Sequence, residues 1–189
     1  MKKIFTTITI IIIIGVIVYV VIDGEKTNDA GSNTFTSRNT SGASVEEVSK
    51  ISTYEYTEEY TDQARGFSFK YPKGFDVSVV PTDTNEAIII QNIETKVGVQ
   101  IIVSPFEGKD VDVTATMIKS DIPKMQVNEP QELLIGDDRK GLAFVSNNEN
   151  FGGKSREVWF VYGGNFYQIS TYADLDDFLK GIFTTWQFK

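Results

Sequence analysis

Asp174, Asp176 and Asp177 crowd beside Tyr172, Phe178, Phe183 and Trp186 near the end of the chain. Carboxylates among aromatic rings suit two kinds of chemistry. Hard oxygen ligands can hold calcium, and two carboxyls about 5–10 Å apart can hydrolyse a glycosidic bond. Asp110 with Asp112 and Asp137 with Asp138 offer the same donors. None of the three clusters has the alternating ligands, glycine and distal glutamate of a calcium loop. The sequence contains no cysteine and no histidine. Disulfides, zinc–thiolate centres, thiol nucleophiles, iron–sulfur clusters and histidine-based triads are thereby excluded. Lys154 and Ser155 in FGGKS lack the spacing of a phosphate-binding loop and are expected in a hairpin turn. No catalytic, cofactor-binding or metal-ligating residue is assigned from the sequence.

The aspartates have structural uses instead. Leu175, Phe178, Leu179, Ile182 and Phe183 recur at i, i+3, i+4, i+7 and i+8, the stripe of an amphipathic helix. Asp174 is then expected as its N-cap, with Asp176 and Asp177 in the first turn, where the helix dipole favours negative charge. TTWQF follows as a closing strand carrying Trp186 and Phe188. A second, shorter helix is expected in DVDVTATMIKSDIP, with Asp112 as its N-cap and Pro123 as its stop.

The remaining elements read as strands. GFSFKYP alternates Phe67, Phe69 and Tyr71 up to Pro72, and GFDVSVVP alternates Phe75, Val77 and Val79. EAIIIQNI is a short apolar strand. TKVGVQIIVSPF, with Val97, Val99, Ile101 and Val103 alternating, is expected to be the longest and central one. QELLIG and KGLAFVSN flank a turn, and SREVWFVY and NFYQISTY flank GGN, a strong hairpin signal. The short spacers leave no room for crossover helices, so the class expected is α+β with a mostly antiparallel sheet.

The N-terminus carries a different signal. Ile4 to Ile22 is a 19-residue run without a charge, preceded by Lys2 and Lys3 and followed by Asp23 and Glu25. As a helix of about 1.5 Å per residue, such a run spans a bilayer core. The basic flank is expected in the cytoplasm, leaving the rest of the chain outside. A cleaved signal peptide is the alternative, but Tyr19, Val20, Val21 and Ile22 are too bulky for a small-x-small cleavage site. The expected organisation is a cytoplasmic tip and transmembrane anchor over residues 1–22, a flexible polar tether over 23–60 and one extracytoplasmic domain over 61–189. Within the tether, Ser44 and Glu47 form a capping box before a short helix. YEYTEEYTD is expected as a solvated lead-in whose Tyr60 docks on the domain.

GFSFKYPKGFDV, the glycine-nucleated WFVYGGNFYQISTY hairpin and the terminal FLKGIFTTWQF together resemble the PsbP/Mog1-like family over residues 60–189. That resemblance implies an α/β/α sandwich around a central antiparallel sheet, and a non-catalytic role exercised through protein partners. No histidine metal ligand carries over, and binding to a photosystem is not implied.

With a net charge of −8, the chain has no basic face for nucleic acid. The function expected is a membrane-tethered, non-catalytic binding or assembly module on the outer face of the cytoplasmic membrane, partnered by the lipid bilayer and a protein. The alternative is a carboxylate-dependent cell-envelope glycan hydrolase.

Overall fold

The computed structural model describes residues 54–81, 85–148, 151 and 153–189. The N-terminal anchor and most of the tether lie outside the described residues. Among the described residues, ten strands and two α-helices form two antiparallel sheets and the layers on them.

The larger sheet has seven strands. In chain order these are β3 (Asp76–Pro81), β4 (Glu86–Asn92), β5 (Val97–Pro105), β6 (Asn128–Ile135), β7 (Arg139–Ser146), β8 (Ser155–Tyr162) and β9 (Asn165–Tyr172). Their spatial order is β3-β4-β5-β9-β8-β7-β6, with every neighbouring pair antiparallel. β5 is the longest strand, with 9 residues, and it buries Val99, Ile101 and Val103 on one face as the alternation predicts. The β8–β9 hairpin turns on Gly163 and Gly164, both left-handed at φ 58° and 72°. Two consecutive residues of that kind make the turn whose twist matches antiparallel strands.

β1 (Tyr56–Asp62), β2 (Phe67–Pro72) and β10 (Gln187–Phe188) form the smaller sheet, with β2 at its centre. YTEEYTD is therefore a paired strand, where the sequence suggested a solvated lead-in. A register shift between Tyr56 and Glu58 breaks its period of two. Tyr60 docks on the core as expected, and so do Tyr54 and Tyr56.

One face of the large sheet packs against both the small sheet and α2 (Asp176–Phe183). Its core joins Phe67, Phe69, Ile101, Phe160, Tyr167, Phe178, Phe183 and Trp186. On the opposite face, α1 (Ala115–Asp121) covers Leu142, Phe144, Trp159, Val161 and Phe166. The helices thus lie on opposite sides of the sheet, and the α2 side is a mixed layer that also contains β1, β2 and β10. The α/β/α expectation did not include that second sheet. Phe67 and Phe69 set it apart: their rings are spent on Trp186, both at 5.0 Å, and this holds β2 above the main sheet.

Two caps differ from expectation. Thr114, not Asp112, caps α1, its Oγ1 accepting the Met117 amide at 3.2 Å. Asp174 sits in a 3-10 turn, Ala173–Leu175, that precedes α2, and neither turn nor helix has a side-chain cap. That turn places Asp174 too early to reach the free amides of α2. Asp176 and Asp177 do occupy the first turn.

α2 is also tied to β1. The Tyr56 hydroxyl donates to the Phe178 carbonyl at 2.7 Å, and the Tyr56 ring lies where a Cβ on Gly181 would stand. Helix propensity alone favours Gly181→Ala by about 1 kcal/mol. Overlap with the ring should reverse the sign, giving a loss of about 1–3 kcal/mol as overpacking does. In urea unfolding, Tyr56→Ala combined with Gly181→Ala should recover most of that loss relative to Tyr56→Ala alone. A stabilising Gly181→Ala would show that the ring is not held there.

Candidate functional site

Two of the three acidic clusters singled out in the sequence have a use within the fold. Asp110 accepts the amides of Gly163 and Gly164 at 2.9 and 3.4 Å, pinning the β8–β9 turn. Asp112 pairs with Arg139 at 2.6 Å, and the same guanidinium nitrogen donates to the Val111 carbonyl at 2.8 Å. Asp137 and Asp138 are exposed in the β6–β7 turn. Asp176 bridges Arg156 of β8, at 2.8 Å, and Lys180 one helical turn on, at 2.7 Å, while Asp177 pairs with Lys180 at 3.2 Å. Among the described residues, no three His, Cys, Asp or Glu side chains are grouped to hold a metal ion.

The Asp176 carboxyl feels opposing influences. Burial, the largest single one, pushes its pKa up, but the hydrogen bonds and charges of Lys180 and Arg156 together hold it below the usual carboxylate range. Its stabilising contribution is therefore present above the ordinary Asp pKa and is lost as pH falls through the lowered one. Both aspartates of the first turn also complement the helix dipole.

Lys154 and Ser155 are not in a phosphate loop. Ser155 opens β8 and is fully buried, its hydroxyl donating to Oε1 of Glu157 at 2.5 Å. Glu157 is the residue that sequence reasoning missed. It points to the α1 side of the sheet, where its Oε2 accepts the Ser170 hydroxyl at 2.5 Å and Trp159 Nε1 at 3.2 Å. Asn148 supplies a further hydrogen bond. Only 2% of Glu157 is exposed. Burial pushes its carboxyl above the ordinary value, and the hydrogen bonds from Ser155, Ser170, Trp159 and Asn148 offset only part of that rise.

A buried, raised carboxyl is the kind of group that can deliver a proton. Here the donors that satisfy it also seal it. Ser146, opposite Ser155 on β7, adds a buried hydroxyl with no partner, so the polar end of this face is enclosed. The arrangement stores a carboxyl within the sheet and shows no second carboxylate facing it among the described residues.

Farther across the same face no helix among the described residues lies over β3–β5, although Ala87 on it is fully buried. The side chains of β3, β4 and β5 that point this way include Ser78, Val80, Ile89, Gln91, Gln100 and Ile102. Neither buried cluster takes them in, and all six are half-buried or exposed. Two edges of this open area are polar, and Ile89 and Ile102 form its apolar centre, since Ala87 pairs with Ile102 and Ile89 with Gln100.

No protein-family model and no curated protein matches the sequence. Among solved structures, the chain is similar to the solution structure of cyanobacterial PsbP (CyanoP) from Synechocystis sp. PCC 6803. The TM-score is 0.47 at 13% identity, covering 70% of this chain and 92% of that one.

Proposed function

We propose that this chain is a membrane-tethered, non-catalytic binding or assembly module on the outer face of the cytoplasmic membrane. A protein partner engages the open face of β3–β5, and the N-terminal apolar run holds the chain in the lipid bilayer. The observation that carries this reading is the half of the sheet that no helix among the described residues covers, with Ile89 and Ile102 half-buried where α1 shields the equivalent positions of β7–β9. An apolar centre with a rim of glutamine and serine has the composition of a protein contact. The commitment of Asp110, Asp112, Asp176 and Asp177 to amides and cations supports a structural use of the acids.

One observation speaks for the glycan-hydrolase alternative, the raised carboxyl of Glu157. Its enclosure by three hydroxyl and indole donors speaks against it, since a general acid must reach the glycosidic oxygen.

A photo-cross-linking residue placed at Ile89 or Ile102 of the full chain, in its own cells, tests the binding surface. Both positions should capture the same protein, and the exposed Thr184 should not. Equal capture at Thr184, or none at the two isoleucines, would overturn the surface. Protease added to spheroplasts should remove the domain, and protection would overturn the orientation.

A further inference from the structure

The two edges of the seven-stranded sheet are built differently. β6 is blunted against further pairing: its register shifts between Asn128 and Gln131, Glu129 is left-handed at φ 50°, and Pro130 lacks an N–H. Glu129 and Glu132 add exposed charge. These are the devices that keep an edge strand from acquiring a neighbour. β3 lacks most of them. It pairs with β4 without a break from Asp76 to Pro81, and β4 is its one strand partner among the described residues. Its only charge is Asp76 at one end, and its only proline is Pro81 at the other. Between them Ser78 is exposed, and Val79 is 42% exposed on the side of the main core.

We propose that β3 pairs with β3 of a second copy of this chain, antiparallel about a two-fold axis perpendicular to the sheet. Ser78 and Val80 of the open face lie on the same strand, but the pairing is made through the β3 backbone and does not depend on the function proposed for that face. Such an axis keeps each face of the sheet on its own side, so residues of the Val77 and Val79 face must oppose residues of that same face. The register that leaves out Pro81, which has no N–H to give, sets Ser78 against Ser78 of the second copy. Val77 then meets Val79 of the second copy, and Val79 meets its Val77. Each exposed Val79 gains an apolar cross-strand neighbour that continues the core across the axis. Asp76 faces Val80 of the second copy, so the two aspartates fall at opposite ends and no like charges meet. The strand is complementary to itself in both shape and charge, which an edge selected for an unrelated peptide need not be.

The absence of cysteine makes the register directly readable. In full-length protein purified in detergent, Ser78→Cys introduces the sole thiol at the axis. Directly opposed Cα atoms lie about 4.5–5.5 Å apart in an antiparallel pair, within the span a disulfide bridges. Mild oxidation should link Ser78→Cys chains into a covalent dimer at least tenfold faster than Leu134→Cys chains, whose thiol lies exposed on β6. Adding Val79→Lys to Ser78→Cys should return the rate to that of Leu134→Cys, with the circular dichroism unchanged. Equal rates for Ser78→Cys and Leu134→Cys would overturn the pairing, and so would a fast rate that Val79→Lys leaves in place.

Discussion

Trp186→Ala is expected to cost about 3–5 kcal/mol, the range for removing a fully packed large aromatic side chain. Trp186 is 3% exposed and stacks on Phe67 and Phe69, both at 5.0 Å, and on Phe183 at 5.7 Å. Phe160 and Tyr167 meet it edge-on at 5.7 and 6.3 Å. The indole therefore joins β2, α2 and the main sheet. A domain of this size has about 5–15 kcal/mol in all, so the variant should be near its unfolding threshold. Trp186→Phe is the informative control. It keeps a stacking ring and deletes an indole N–H that has no partner in the core, so it should lose well under half as much. Urea midpoints followed by circular dichroism, at constant m, would check both. Equal losses for Ala and Phe would mean that the N–H, not the ring, is what the site needs.

Glu157→Ala should cost about 3 kcal/mol. The Ser155 and Ser170 hydroxyls and the Trp159 N–H would be left buried with no acceptor, at about 1–3 kcal/mol for each group that fails to find another. Glu157→Gln keeps the shape and one acceptor oxygen and should cost about 1 kcal/mol. The two differ further in pH dependence. Because burial raises the Glu157 pKa above its unfolded value, the folded chain keeps a proton that the unfolded chain has already lost. Its contribution is complete below the unfolded pKa and declines as pH rises through the folded one. Glu157→Gln should abolish this decline and leave intact the opposite, acid-side loss due to Asp176. A wild-type stability that does not fall over that window would show that Glu157 is ionised in the fold.

Much of the architecture was legible in the sequence because the signals were local. The alternation of Val97, Val99, Ile101 and Val103, the glycine pair at 163–164 and the stripe from Leu175 to Phe183 each state their own element. β1 was obscured because exposed Thr57, Glu58 and Glu59 separate Tyr56 from Tyr60, and a register shift falls between Tyr56 and Glu58. Asp174 and Asp112 have the right side chains for caps. A 3-10 turn and a later start by two residues decided against them, and both depend on how the chain enters the helix from its tertiary contacts. Glu157 could have been found. Val158 to Val161 is apolar at every position, which marks a strand buried on both faces. An acid one residue before such a run must itself be buried and must have donors. Which donors, Ser155 from its own strand and Ser170 from the neighbour, is set by strand order, and strand order is not local.

Arg156 and Glu157 are adjacent on β8 and face opposite sides, the first toward Asp176 and the second toward the serines. The rest of the strand, Val158 to Val161, would fit either side about equally well, so hydrophobicity alone leaves two ways to thread it. A slip of one residue would drive Glu157 into the aromatic layer around Phe160 and Trp186, away from every donor, and turn Arg156 toward hydroxyls that cannot neutralise it. The ionisable dipeptide therefore acts as a key for the strand: it penalises a sheet threaded one residue out of place and favours a single alignment of β8.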